Sequence, residues 1–225
     1  MRRCASPSWR SRRWRPELLV ERALTLATPG SRVIIGITGS PGAGKTTLAR
    51  ELVAGINSGS DVARAAYLPM DGFHLANVTL DRLGLRGRKG AIETFDGWGF
   101  VALLERLLVE RDHDVFAPSF ERTVDEGIAG EVVIPPEADI VVVEGNYLLV
   151  DRPPWDRIAG LLAETWFCET GADERLARLV VRHSEHGRSP EAALEWASTV
   201  DGANALLIEA TKERADLVVS GTAAI

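Results

Sequence analysis

A glycine-rich segment from Gly39 to Thr46, with the sequence GSPGAGKT, restricts the fold of this chain more than any other feature. It matches the phosphate-binding loop pattern, GxxxxGK followed by Ser or Thr, at every fixed position. An apolar run over residues 32–38 precedes it and predicts a buried strand, and residues 45–56 predict a helix directly after it. This order is typical of α/β folds and places the loop at a helix N-terminus, where unpaired N–H groups favour phosphate oxygens.

The residues of this segment indicate how it would bind a nucleoside triphosphate. Gly39 and Gly44 allow the backbone to curl and to point its N–H groups at phosphate oxygens. Lys45 would reach the β- and γ-phosphates, and the Thr46 hydroxyl would ligate Mg²⁺. We therefore predict that the nucleotide is bound by Gly39, Ser40, Pro41, Gly42, Ala43, Gly44, Lys45, Thr46 and Thr47.

Charge is distributed unevenly along the chain. The 225 residues carry a formal net charge of −6, but residues 1–15 hold six arginines and no acid, so the rest carries −6 − 6 = −12. An acidic body argues against nucleic acid as the main partner. The basic segment could contact phosphates or a membrane surface, act as an organellar targeting segment, be a disordered extension, or stem from an upstream start codon. We expect a disordered tail over residues 1–15 and a single domain over residues 16–225.

Hydropathy and cysteine usage predict a cytoplasmic protein without a membrane span. No run approaches the roughly eighteen uninterrupted apolar residues of a spanning helix, and the first residues lack the apolar core of a secretory signal. Cys4 and Cys168 show no metal-binding spacing, and Cys168 lies in an apolar run over residues 165–168. That placement predicts a buried, inert thiol in a reducing compartment.

Short apolar runs alternate with helical patterns over the rest of the chain, which predicts a parallel sheet covered on both faces. Predicted strands lie at residues 33–38, 64–69, 115–118, 140–144, 165–169 and 217–220. Predicted helices lie at residues 16–27, 45–56, 98–110, 173–186, 190–198 and 202–211. Residues 121–135 predict a β-hairpin beside the sheet.

Two acids follow predicted strands, at the edge of the sheet where α/β proteins bind their ligands. Asp71 comes after the strand that ends near Met70, and Glu144 ends the run over residues 140–144. Phosphoryl transfer needs a carboxylate to accept or orient the proton of the acceptor hydroxyl and oxygen ligands for Mg²⁺. Asp71 and Glu144 fit these roles, although Asp71 could instead be a turn residue in an Asp-Gly pair and Glu144 a cap for backbone N–H groups.

Arg175, Arg178 and Arg182 follow each other at spacings of three and four, so one face of a predicted helix presents all three. Arg188 follows shortly after that helix. Cations at this place could fold over a triphosphate and neutralise the charge that develops in the transition state. The alternative is a solvated helix face that is paired with neighbouring acids.

Taken together, these residues resemble the family of P-loop kinases that includes uridine kinases, phosphoribulokinases and type I pantothenate kinases. The stretches MDGFHLAN over residues 70–77 and RKGAIETFD over residues 88–96 are similar to segments of bacterial pantothenate kinases. The pair Glu144-Gly145 resembles the end of the fourth sheet strand in these kinases, and residues 172–188 resemble their lid helix.

The resemblance implies the fold and the roles of several residues. It implies a three-layer α/β sandwich of the P-loop NTPase type, with a five-stranded parallel sheet in the order 2-3-1-4-5, an inserted β-hairpin and a helical lid. Asp71 would be the catalytic base, and Glu144 would act with Thr46 at the Mg²⁺ and on the acceptor side. Lys45, Arg178 and Arg182 would contact the phosphates of ATP during catalysis. ATP and Mg²⁺ would then be the cofactors.

Candidate acceptor contacts lie on segments expected around the acceptor cleft. They are His74, Arg88, Lys89, Phe95, Asp96, Arg122, Tyr147 and Asn204, together with Asp71 and Glu144. Arg88, Lys89 and Arg122 would suit an acceptor with a phosphate or carboxylate, or they could form a basic surface loop. His74 and Asn204 could have structural roles only. We expect His113, His183 and His186 to face solvent without a role, and the tryptophans, Trp196 among them, to pack in the core or at its rim.

The function predicted from these features is transfer of the γ-phosphoryl group of ATP to a hydroxyl of a nucleoside, a sugar or sugar phosphate, or a pantothenate-like compound. The sequence departs from pantothenate kinases where their Tyr-x-His pair would stand, since it reads SFER over residues 119–122, and the acceptor stays open. One alternative is a regulatory nucleotide-binding protein without a small acceptor. Another is a domain that the basic tail tethers to nucleic acid or anionic lipid. A homodimer is possible.

Overall fold

The computed structural model describes residues 15–28 and 30–221. Its strands are β1 (Val33–Thr38), β2 (Ala65–Pro69), β3 (Val115–Glu121), β4 (Glu126–Ile134), β5 (Ile140–Glu144), β6 (Glu164–Glu169) and β7 (Leu217–Ser220). Its α-helices are α1 (Pro16–Leu26), α2 (Lys45–Asn57), α3 (Asn77–Leu83), α4 (Gly97–Val109), α5 (Ala172–Glu185), α6 (Pro190–Trp196) and α7 (Gly202–Glu209). The basic tail expected over residues 1–15 lies, apart from Arg15, outside the described residues and stays a prediction.

Five strands form a parallel sheet in the order β2-β5-β1-β6-β7. When the two strands of the hairpin are left out of the numbering, this is the order 2-3-1-4-5 that the family resemblance implies. The three-layer α/β fold is therefore confirmed. Among the described residues, no helix is both long and apolar enough to cross a bilayer.

The hairpin consists of β3 and β4, which pair in antiparallel fashion from Val115 opposite Ile134 to Glu121 opposite Glu126. The predicted hairpin beside the sheet is present, but it begins before residue 121, because the strand predicted over residues 115–118 is part of its first strand. Val115 and Ala117 are buried whereas Phe116 between them is 58% exposed. This alternation is typical of a strand with one covered face, and a strand inside the parallel sheet would be buried on both faces.

Burial on both faces explains why the strands of the sheet are so apolar. In β1, Ile34 packs into one hydrophobic cluster with Phe100 and Leu104 of α4. Ile35 and Ile37 point the other way, into a second cluster to which α1 and α2 contribute. Successive side chains of a strand alternate between faces, so a short strand between two helical layers must be apolar throughout.

The phosphate-binding loop needs its glycines for conformation and for space. Gly39, Gly42 and Gly44 have φ angles of 145°, 78° and 97°, a region that residues with a side chain rarely adopt. A Cβ atom at Gly39 would overlap the carbonyl oxygen of Cys168 at the end of β6. The loop therefore lies directly against the end of the neighbouring strand.

Gly72 allows the hairpin to lie close against the turn that carries Asp71. The turn is a short 3-10 helix, Met70–Phe73, that follows β2 directly. A Cβ atom at Gly72 would overlap the carbonyl group of Pro118 in β3. The Asp-Gly pair is thus a turn, as one interpretation of the sequence held, and its glycine permits the close approach of the hairpin.

Replacement of Gly72 by Ala should lower the free energy of unfolding by about 1–3 kcal/mol, because the added methyl group must push the backbone of Pro118 away. Chemical denaturation of the two proteins measures the difference. Gly59→Ala is the matched control, since a Cβ atom there meets nothing within 4 Å. Equal stability losses in both variants would contradict this account of Gly72.

Candidate active site

A cleft of about 430 Å³ opens between the phosphate-binding loop, the Asp71 turn, the tip of the hairpin and the lid segment, defined here as residues 172–188. Of the residues predicted from the sequence, those that line it are Pro41, Lys45, Thr46, Asp71, His74, Lys89, Phe95, Arg122, Glu144 and Arg182. The sheet explains why they meet. The carboxyl ends of β1, β2 and β5 are adjacent. The phosphate-binding loop follows β1, the Asp71 turn follows β2, and Glu144 is the last residue of β5.

Lys45, Thr46 and Glu144 form a compact polar group at the loop end of the cleft. The Thr46 hydroxyl donates to Glu144 Oε2 at 3.0 Å, and Lys45 Nζ lies 3.8 Å from Glu144 Oε1. Tyr67, which the sequence interpretation missed, donates its hydroxyl to the same carboxylate oxygen at 3.1 Å. Burial raises the pKa of Glu144, the charge of Lys45 opposes that rise, and the nearby Asp71 adds to it.

Asp71 lies beside Glu144 because β2 and β5 are paired with Pro69 opposite Glu144. Its carboxylate is half-exposed in the cleft, where Arg122 Nη2 lies 3.5 Å from Asp71 Oδ2. Behind it, His74 Nδ1 lies 2.7 Å from the backbone oxygen of Asp71. Burial lowers the pKa of His74, although the charge of Asp71 opposes the shift. The imidazole is therefore neutral at neutral pH and fixes the turn through its Nδ1 proton.

His74 and two phenylalanines form one wall of the cleft. The His74 ring lies 4.0 Å from the ring of Phe95 and 4.6 Å from that of Phe120, centre to centre. Lys89 Nζ lies 5.0 Å from the centre of the Phe120 ring. Aromatic faces with a cation and a hydrogen-bonding ring nearby can accommodate a ligand that is partly apolar and partly polar.

The three arginines of the α5 face reach three different places. Arg182 lines the cleft, and its buried Nε has no hydrogen-bond partner among the described residues. Burial lowers the pKa of Arg182, and the charge of Arg122 lowers it further. Arg178 is not in the cleft, because its Nη1 donates to the carbonyl oxygens of Gly42 and Gly221 at 3.2 and 3.3 Å. Arg175 donates its Nε to the backbone of Thr170.

Arg86 lines the cleft with Lys89, whereas the predicted Arg88 does not. Residues Arg86–Arg88 form a 3-10 helix, in which residues three apart lie on the same side, so Arg86 and Lys89 face one way. Arg88 points outward and pairs with Glu93 at 2.8 Å. Lys89 donates to Asn77 Oδ1 at 2.6 Å and lies 3.2 Å from Asp125 Oδ2.

Tyr147 and Asn204 also lie outside the cleft and support it from behind. The Tyr147 hydroxyl donates to the carbonyl oxygen of Gly90 at 2.6 Å, and Asn204 Nδ2 donates to the same oxygen at 3.0 Å. Both residues are buried, and Gly90 itself lines the cleft. Asp96 has a structural place too, since its side chain caps α4 by accepting from the Gly99 N–H at 2.8 Å.

The rest of the phosphate-binding loop is fixed by contacts with neighbouring elements. The Ser40 hydroxyl donates to Glu209 of α7 at 2.5 Å. Cys168 is buried with its thiol 3.2 Å from the carbonyl oxygen of Ala43, and burial raises its pKa to about 12. The expected burial of this thiol is confirmed. Thr47 is exposed on the first turn of α2.

The prediction that His183 faces solvent is wrong, because its side chain is largely buried and its Nε2 lies 2.7 Å from Asp201 Oδ2. His186 is exposed, as predicted, and both residues line the cleft. Arg188 also lines it, with its guanidinium carbon 3.9 Å from the centre of the Trp196 ring. The spacing of four between Arg182 and His186 could have indicated that they share a helix face.

Comparisons with known proteins identify the family of this chain. Residues 34–224 match the phosphoribulokinase / uridine kinase family. A Schizosaccharomyces pombe protein named "Putative uridine kinase C227.14" is 32% identical over 209 residues, which cover 89% of this chain and 88% of that protein. The Escherichia coli protein YggC is 30% identical and covers 92% of this chain and 86% of its own length.

Solved structures show the same fold. A crystal structure of a "putative fructose transport system kinase" from Silicibacter sp. TM1040 has a TM-score of 0.83 and 37% identity, and covers 91% of this chain and 98% of its own. The Saccharomyces cerevisiae protein YFH7 has a TM-score of 0.80 at 20% identity, covering 92% of this chain and 98% of its own, and supports the fold alone. The chain described here belongs to the phosphoribulokinase / uridine kinase family and is a kinase, an ATP-dependent phosphotransferase.

Proposed function

We propose that this kinase transfers the γ-phosphoryl group of ATP to a hydroxyl of a small molecule such as a nucleoside, a sugar or sugar phosphate, or a pantothenate-like compound. The observation that carries the proposal is that the Asp71 carboxylate opens into the same cleft as Lys45 of the phosphate-binding loop. A base and a phosphate cradle in one cleft are the two parts that phosphoryl transfer to a hydroxyl requires.

Asp71 acts on the acceptor. Its carboxylate accepts the proton of the acceptor hydroxyl while that oxygen forms a bond to the γ-phosphorus and the bond between the γ-phosphorus and the β–γ bridging oxygen breaks. ADP leaves with the electron pair of the broken bond. The half-exposed position of Asp71, next to the aromatic wall with His74 and Phe95, supports this role, because an acceptor can reach the carboxylate from the open side of the cleft.

Lys45 and Arg182 bind the triphosphate together with the N–H groups of the loop. Lys45 is buried beside the loop, with Nζ donating to the Ser40 carbonyl oxygen at 3.2 Å, and it is oriented before the nucleotide arrives. Arg182 reaches the cleft from the lid segment, and its Nε has no partner among residues 15–28 and 30–221. A cation held near the transferring group stabilises the negative charge of the transition state without reorganisation.

The residues at the loop end of the cleft fit a Mg²⁺ ion. Hydroxyl and carboxylate oxygens are the ligands that Mg²⁺ prefers, and Thr46 Oγ1 and Glu144 Oε2 are already 3.0 Å apart. Among the described residues no group of three or more His, Cys, Asp and Glu side chains could hold a metal ion, so further ligands would come from phosphates and water. Mg²⁺ neutralises phosphate charge when bound.

We expect that release of ADP from MgATP rises well above the background with one acceptor of a panel of nucleosides, sugars, sugar phosphates, pantothenate and glycerate. With that acceptor, Asp71→Asn should lower turnover by about 10² to 10⁴-fold, because the amide cannot take the hydroxyl proton. Asp81→Asn, on the exposed surface of α3, is the control that should keep wild-type turnover. Slow hydrolysis that no acceptor stimulates would favour a regulatory nucleotide-binding protein instead.

A comparison of two lid arginines distinguishes a residue that contacts the transferring phosphoryl group from one that only supports the phosphate-binding loop. Arg182→Gln should lower kcat by roughly 10³-fold or more, as arginines that stabilise phosphoryl-transfer transition states do. Arg178→Gln should mainly raise the KM for ATP, because Arg178 holds the carbonyl oxygen of Gly42 rather than lining the cleft. Steady-state kinetics of both variants test this difference, and a larger kcat loss in Arg178→Gln than in Arg182→Gln would contradict it.

A further inference from the structure

Arg122 makes a weak contact with the proposed base. Its Nη2 lies 3.5 Å from Asp71 Oδ2, and the two side chains are 44% and 35% exposed. This distance is longer than that of a good N–H···O hydrogen bond, and ion pairs that are exposed to water contribute little to stability. A stronger anion in the cleft could therefore draw the guanidinium away from Asp71 at little cost.

Arg122 also faces like charge. Arg122 and Arg182 come from the hairpin and the lid segment, and they approach closely enough for the charge of Arg122 to lower the pKa of Arg182. The buried Nε of Arg182 has no hydrogen-bond partner among the described residues. Two guanidinium groups that converge on one cleft repel each other, and an anion between them would relieve that repulsion.

Arg188 adds a third cation at the tip of the lid segment. It lines the same cleft and stacks on Trp196, with 3.9 Å between its guanidinium carbon and the ring centre. Stacking fixes the plane of the guanidinium but leaves its N–H groups available to a ligand. No ion pair of Arg188 is formed within the described part of the chain.

The cations on the opposite wall share one carboxylate, that of Asp125. Lys89 lies 3.2 Å from Asp125 Oδ2 and donates to Asn77, and Arg86 lies 3.8 Å from the same Asp125 oxygen. The cations of the hairpin and the lid segment are Arg122, Arg182 and Arg188. The acids near Arg122 and Arg182 include Asp71 and Glu144, which the proposed function assigns to the acceptor hydroxyl and to Mg²⁺. Since the proposed function assigns Arg182 to the triphosphate, Arg122 and Arg188 are left for the acceptor.

We propose that the acceptor of this kinase carries an anionic group, a phosphate or a carboxylate, and that Arg122 binds it together with Arg188. The proposal rests on the function proposed above. When Arg122 turns to the anion it leaves the Asp71 carboxylate, which then accepts the hydroxyl proton of the same acceptor. Binding of the anionic acceptor thus frees the Asp71 carboxylate from Arg122. A neutral molecule or water does not draw Arg122 away, and Asp71 then stays paired with it.

Binding of simple anions tests the proposal without knowledge of the acceptor. Protein saturated with Mg²⁺ and the unreactive analogue AMP-PNP, so that the nucleotide subsite is filled, is titrated with inorganic phosphate or acetate by calorimetry at constant ionic strength. We expect one of the anions to bind, and to bind at least tenfold more weakly to Arg122→Gln. Arg122→Lys should retain an intermediate affinity, since it keeps the charge without the bidentate fork.

Arg106→Gln is the matched control, because Arg106 pairs with Glu110 on the exposed face of α4. It should bind the anion as the wild type does. Binding of phosphate alone would indicate a phosphorylated acceptor, and binding of acetate as well would extend the class to carboxylates. If neither anion binds, or if Arg122→Gln binds it with unchanged affinity, the proposal is overturned while the kinase function stands. A protein that does not bind MgAMP-PNP would fail earlier and would overturn the proposed function itself.

Discussion

The parallel pairing of β5 with β1 and β2 is the constraint on which the site depends. Val33 to Ile37 of β1 pair with Ile140 to Glu144, and Ala65 to Pro69 of β2 pair with the same residues from the other side. All three strands therefore end at one level. The loop after β1, the Asp71 turn after β2 and Glu144 at the end of β5 must meet at that edge, whatever the surrounding segments do.

The hairpin and the lid segment complete the cleft from the two sides that the sheet leaves open. Gly72 allows the hairpin to lie against the Asp71 turn, and the Phe120–Arg122 stretch thereby reaches the cleft. On the other side, Arg178 ties the lid segment to the phosphate-binding loop through the carbonyl oxygen of Gly42. The result is a cleft rich in cations within a protein of net negative charge, which suits a ligand with several negative charges.

Sequence patterns predict the elements whose cause is local. Apolar runs predict the sheet strands, the glycine pattern predicts the loop, and the positions of Asp71 and Glu144 after strands place them in the cleft. The predictions that fail concern side chains whose positions depend on tertiary contacts or on short irregular turns. The 3-10 geometry directs Arg86 rather than Arg88 into the cleft, and no periodicity of the surrounding residues reveals it. Tyr147 has a polar group, but burial and a bond to Gly90 make it a supporting residue.

The central claim is that the γ-phosphoryl group of ATP is transferred to an acceptor hydroxyl in the space between Lys45 and Asp71. A crystal structure of the protein with Mg²⁺ and an unreactive ATP analogue would test it most directly. The account predicts that the γ-phosphate contacts Lys45 and Arg182 and faces Asp71 across a space that admits one hydroxyl oxygen. A γ-phosphate directed away from Asp71, or a triphosphate bound outside the cleft, would contradict it.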